Sequence, residues 1–191
     1  MAHRGFSLVE LVVVMAAVLL AVAAAAPHIK AYSDDAHLLG ASDEFKGAFR
    51  RARSMAIGSG ANVAIVFDGD GDQARFSVYR DGDHDGVRRA DIREGVDPLV
   101  EPPVPVTGPV SGVSVAIQPG LPAIPPETGT LAGDAIRFGP SNVLSFSPLG
   151  TATPGTFYLL GRNGRQAAVR VTPGSSRVRT MLWDGGRWSE R

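Results

Sequence analysis

Between Phe6 and Ala26 the chain reads FSLVELVVVMAAVLLAVAAAA, and only Ser7 and Glu10 are polar in that run. As a helix, 21 residues at about 1.5 Å each span roughly 31 Å, the thickness of one bilayer core. A helix that is apolar on every side must be covered by lipid or by other helices, so this run constrains the fold more than any other part of the chain. Pro27 follows at once and cannot donate the hydrogen bond that continues a helix.

Glu10 divides the readings of this stretch. A cleaved secretory signal fits the small residues Ala24, Ala25 and Ala26 and the thin basic start His3-Arg4. It does not explain a carboxylate inside the apolar run, and it leaves Pro27 just after the cut. A plain anchor helix leaves Glu10 unexplained, because an acid in lipid costs about 2.5–3.5 kcal/mol at the centre of a span and usually marks function. A third reading accounts for Gly5, Phe6 and Glu10 together.

Gly5-Phe6-Ser7-Leu8-Val9-Glu10 resembles the prepilin peptidase site of type IV pilins and type II secretion pseudopilins. The resemblance implies a leader of residues 1–5 cut after Gly5, N-methylation of Phe6, and Glu10 as the glutamate at the fifth mature position. It also puts Pro27 where that family often has a helix-breaking proline. The partners it implies are prepilin peptidase, other pilins or pseudopilins and a filament assembly platform. The implied location is the bacterial inner membrane, crossed once, with the globular part in the periplasm and a filament after assembly. The physics agrees: a buried carboxylate needs a partner, and cutting after Gly5 creates an α-amine on Phe6 that Glu10 of a neighbouring subunit could neutralise.

Past Pro27 the apolar residues recur at helical spacing: Ile29, Tyr32, Ala36 and Leu39, then Phe45, Phe49, Ala52 and Ala56. One helix is expected over 7–57, bent near Pro27, weakened by Gly40 and Gly47 and ended by Gly58-Ser59-Gly60. Short alternating segments then predict strands at 61–67, 74–80, 113–117, 135–138, 143–146, 156–160, 167–171 and 177–182. The proline-rich stretch 98–126 predicts a long irregular loop around one strand, and a partner-contacting surface. The fold class is α+β: a long N-terminal helix whose first half spans the membrane, and a C-terminal antiparallel sheet domain. The organisation is leader 1–5, hydrophobic helix 6–27, amphipathic helix half 28–60 and β-rich domain 61–191. The second half resembles the GspH/FimT group of minor pilins and pseudopilins, through Phe49-Arg50-Arg51-Ala52-Arg53-Ser54-Met55-Ala56-Ile57, Phe146-Ser147-Pro148-Leu149-Gly150 and Ser176-Arg177-Val178-Arg179.

Nineteen basic and nineteen acidic residues cancel overall, but not locally. Residues 68–101 hold ten acids against five arginines, and residues 161–191 hold seven arginines against two acids. In the acidic part, Asp81-Gly82-Asp83-His84-Asp85-Gly86, with Asp91, has the alternating carboxylates and glycine turn of a calcium loop. The acid falls one residue short of the helix–loop–helix pattern, however, since Ile92 holds the twelfth position. An ordinary Asp/Gly turn is the simpler reading. Asp68-Gly69-Asp70-Gly71-Asp72 repeats the pattern between two strands, as a hairpin turn would. In the basic part, Arg177 and Arg179 alternate with Val178, so a strand would point both guanidinium groups to one face. Some FimT-like minor pilins bind DNA through a C-terminal Gly-Arg-x-Arg element; here Ser176 stands in the glycine position, and a solvated strand face is the plainer account.

The absence of cysteine removes disulfides, thiolate metal sites and thiol nucleophiles. The four histidines are scattered, and no metalloprotease, serine-hydrolase or phosphate-loop motif occurs. The expectation is a non-enzymatic minor pseudopilin or minor pilin of a type II secretion system or type IV pilus. The alternatives are a DNA-binding minor pilin, or an exported calcium-binding protein or enzyme with a conventional signal peptide.

Overall fold

A computed structural model describes residues 7–69, 71–106, 112–173 and 176–191. Helix α1 (Leu8–Ser59) leads into strands β1 (Val63–Asp68) and β2 (Arg75–Arg80), then the short helix α2 (Arg89–Glu94). Strands β3 (Leu99–Pro105), β4 (Val113–Ser114), β5 (Ile136–Arg137), β6 (Val143–Phe146), β7 (Gly155–Gly161), β8 (Gln166–Val171), β9 (Val178–Trp183) and β10 (Trp188–Glu190) follow. They form two antiparallel sheets. One has the order β3-β2-β1-β6; the other runs β10-β9-β8-β7-β4, with β5 also on β7. The α+β architecture expected from the sequence is the one observed.

Helix α1 runs without interruption through Pro27, Gly40 and Gly47. It stops at Gly60, whose left-handed backbone (φ 66°) lets its N–H reach the Ala56 carbonyl. Both sheets close on its second half. The buried stripe is Leu38, Ala41, Phe45, Ala48, Phe49, Ala52 and Ala56, repeating every three to four residues. The earlier part of the expected stripe is corrected: Ile29, Tyr32 and Ala36 are exposed and Leu39 is half-buried, because the sheets reach no further back along the helix than about Leu38.

Phe45 is the centre of the core. Its ring lies 4.3 Å from Phe157 of the second sheet and 5.4 Å from Phe76 of the first. Every phenylalanine among the described residues joins this ring network. Strand β1 is apolar at successive positions because both its faces are covered. Val63, Ile65 and Phe67 join the main core, while Ala64 and Val66 pack with Val87, Val143 and the half-buried Tyr79 and Ile92.

All eight expected strands exist, with ends shifted by a few residues; β4 keeps only two residues of 113–117. The expected loop 98–126 is corrected at its start, where residues 99–105 form β3 despite Pro102, Pro103 and Pro105. Strand β3 is the edge of its sheet, where a residue without an N–H leaves no ladder bond unmade on the open side. Helix α2 and the three-residue β10 were not expected from the sequence.

Candidate functional sites

The first half of α1 is naked. Every described side chain from Ser7 to Ala26 is exposed, on a helix long and apolar enough to cross a membrane. Ser7 caps the helix with an extended backbone, and its hydroxyl accepts from the Glu10 N–H at 3.2 Å. The Glu10 carboxylate reaches back to accept from the Ser7 N–H at 2.8 Å, completing a capping box. Glu10 therefore has a partner within its own helix. Gly5 and Phe6 lie outside the described residues. Pro27 sits inside α1, where it cannot donate to the Ala23 carbonyl.

The acidic loop connects β2 to α2 across the outer face of the first sheet. Ligand oxygens of Asp81, Asp83 and Asp85 lie within 4.8 Å of one another, as the sequence spacing predicts, while Asp91 is not part of that group and stands on α2. What these carboxylates hold is the loop itself. Asp81, 2 % exposed, accepts from the His84 N–H at 2.7 Å, the Gly86 N–H at 2.9 Å and the Asn62 amide at 2.7 Å. Burial pushes its carboxyl up, but the bonds from Asn62, Gly86 and His84 outweigh that and hold it below the usual range. Asp83 accepts from the Asp85 N–H at 3.3 Å, and Asp85 pairs with Arg88. For Asp85, desolvation and the charges of Asp83 and Asp91 raise the carboxyl above its ordinary value against the pull of Arg88. Calcium takes about six to eight oxygens. Both Asp81 oxygens already accept N–H bonds here, so the loop fits a self-satisfied turn better than a cation cage.

The far side of the same segment is closed by two further clamps. Asp97, also buried, accepts from the N–H groups of Gly82 and Arg88, each at 3.0 Å. Arg89 reaches the Phe67 carbonyl at 2.5 Å, the Ser141 carbonyl at 2.9 Å and Asp68 at 2.6 Å, tying α2 to the first sheet. Sequence reading missed both, since each joins residues far apart in the chain.

The basic C-terminal third does not form one surface. Arg165 pairs with Asp35 of α1, Arg170 with Glu127 at 2.7 Å, and Arg187 with Asp184 at 3.5 Å. Arg177 and Arg179 are brought together, both lining a groove of about 370 Å³ between β9, β10, β6 and α1. Arg177 precedes β9 instead of lying in it, and Arg179 bonds Glu190 of β10 at 2.7 Å. Lys46, Arg50 and Arg53 of α1 line the same groove. Their spacing of four and three residues places them on one helix face, a signal present in the sequence that only the fold joins to the C-terminal arginines.

A family model described as type II transport protein GspH matches residues 41–175, well over half of the chain. A model of the prokaryotic N-terminal methylation motif matches residues 1–26. No curated protein and no solved structure matches.

Proposed function

The chain belongs to the type II transport protein GspH family, and from that membership we propose that it is a minor pseudopilin, built into the filament of a type II secretion system. In this reading prepilin peptidase cuts after Gly5, Phe6 is methylated, and α1 holds the subunit in the bacterial inner membrane with its sheets in the periplasm. An assembly platform then draws it into the filament beside other pseudopilins. The secretion filament is preferred to a type IV pilus because the matched family is described by type II transport.

The observation that carries the reading is the division of α1. One unbroken helix is bare and apolar from Leu8 to Ala26, and from Leu38 to Ala56 it is the spine of the folded domain. No linker uncouples the two halves, so helices bundled through their apolar halves would carry their domains as rigid outer parts. The match of residues 1–26 to the methylation motif supports the processing step.

Intact mass spectrometry of the membrane-extracted protein from its native host tests the proposal. The expected mass is that of a chain beginning at Phe6 with one added methyl group. A chain beginning at Pro27 would replace this reading with that of an exported soluble protein.

A further inference from the structure

The groove beneath Arg177 and Arg179 carries a polar demand that neither the fold nor the filament reading uses. Among the described residues, four buried side-chain polar atoms have no hydrogen-bond partner. Three of them, Arg53 Nε, Arg179 Nε and Thr180 Oγ1, belong to residues that line this one groove. Buried polar atoms are almost always met in folded proteins, so three in one place mark a spot where the chain's own partners run short. The surrounding charge agrees, since six cationic side chains line the groove and Glu190 is the one acidic side chain in its lining, with Lys46 also paired to Asp43 at 2.8 Å. Glu190 engages Arg179 through Nη1 only, which leaves the Nε edge of that guanidinium without an acceptor.

We propose that this groove binds an acidic segment of a partner protein, with an Asp or Glu carboxylate seated between Arg53 and Arg179. The groove's volume of about 370 Å³ suits one or two side chains. A carboxylate at the end of a flexible side chain can enter such a groove and pair with its guanidinium groups, whereas a phosphodiester is flanked by a sugar on each side. Nucleic acid held without sequence readout also needs ring faces for its bases. The two rings that line the groove, Phe49 and Phe146, are both 0 % exposed and belong to the core. A second copy of this chain is a poor occupant as well. Its acidic loop spends Asp81 and Asp97 on its own N–H groups and Asp85 on Arg88.

An exposed apolar side chain stands on the turn that adjoins Arg53. Leu149 is 92 % exposed on the turn between Ser147 and Thr151. The next residue, Gly150, approaches Arg53 so closely that a Cβ there would lie 3.0 Å from Arg53 Nη2. An acidic residue with an apolar neighbour would satisfy the guanidinium groups and cover Leu149 together. This proposal goes beyond the filament reading and stands without it, because it rests on the groove alone.

Fluorescence anisotropy with the full chain in detergent tests it, using a labelled hexaglutamate peptide and a labelled oligothymidylate of equal charge. The peptide is expected to bind more tightly than the oligothymidylate. R53Q and R179Q should each weaken it about tenfold or more, as loss of a charge-assisted bond in a closed site does. R50Q, at an exposed lining position, should weaken it several-fold, and it keeps the test valid if circular dichroism shows that R53Q does not fold. R93Q removes the same charge from α2, where Arg93 caps a carbonyl of its own helix, and should leave binding unchanged. The proposal fails if oligothymidylate binds as tightly as the peptide, or if R93Q weakens the peptide as much as R50Q. It fails also if concentration-dependent self-association of the chain closes the groove.

Discussion

Asp81 is buried among donors, not among cations, and that makes the loop it holds sensitive to acid. Its carboxyl lies below the ordinary value because the N–H groups of Asn62, Gly86 and His84 favour the charged form more than burial disfavours it. A native value below the unfolded one, which is about 3.9, means the stabilisation is complete above that pH and fades as pH falls through the native value. D81N should cost about 1–3 kcal/mol at pH 7, since an amide leaves one of these donors facing another donor. Urea melts of wild type and D81N should differ by that amount at pH 7 and converge as pH falls below about 3.9. A gap that stayed constant with pH would show that shape, not charge, holds the loop. Glu10 is the contrasting acid: its carboxylate is met by a single N–H, that of Ser7, at an open helix end. Under the proposed processing, a cut after Gly5 would leave that amide intact, so the same box would still hold Glu10.

Strand β7 carries the most crowded junction among the elements, because β8 takes one of its edges while β4 and β5 share the other. At its first residue, Gly155, an added Cβ would lie 2.2 Å from the Arg137 carbonyl oxygen and 2.4 Å from the Phe138 ring. Neither can yield without moving β5, so G155A should destabilise the domain by about 1–3 kcal/mol, read as a lower urea midpoint with an unchanged slope. G164A sits in open space but at φ 79°, and its cost should come from backbone strain alone. The strands themselves were legible in the sequence wherever alternation ran for four residues or more between glycines and prolines. Strand β3 was hidden because its prolines mimic a loop, and only the neighbour it lacks makes them tolerable. The helical spacing before Leu38 shows which residues share a face, not where the covering sheet ends. The candidate sites divide in the same way. The carboxylates of Asp81, Asp83 and Asp85 and the arginines of 177–179 could be found from local spacing. The donors that occupy the first, and the α1 cations that complete the second, are brought in by contacts across the fold.

Considered whole, the molecule is one long helix with two sheets wrapped on its second half, and Phe45 touches all three parts. Phe45 of α1 contacts Phe67 and Phe76 in the first sheet and Phe157 in the second, with centroid distances from 4.3 to 6.2 Å. Among the described residues the sheets share no ladder bond, so their cooperation in folding must pass through this core. Truncating a buried phenylalanine costs about 3–5 kcal/mol, a large part of the roughly 5–15 kcal/mol that holds an ordinary domain. If the core is one cooperative unit, F45A should lower the opening free energy of β1 amides and β8 amides by the same amount in native-state hydrogen exchange. If only one sheet lost protection, the sheets would be separate folding units that merely share a helix. Cooperative loss has a functional meaning for a filament subunit. The bare half of α1 continues into this core without a hinge among the described residues, so any pull on the bundled helices is delivered to both sheets at once. A domain that yields as one unit transmits that pull, whereas one that came apart sheet by sheet would absorb it.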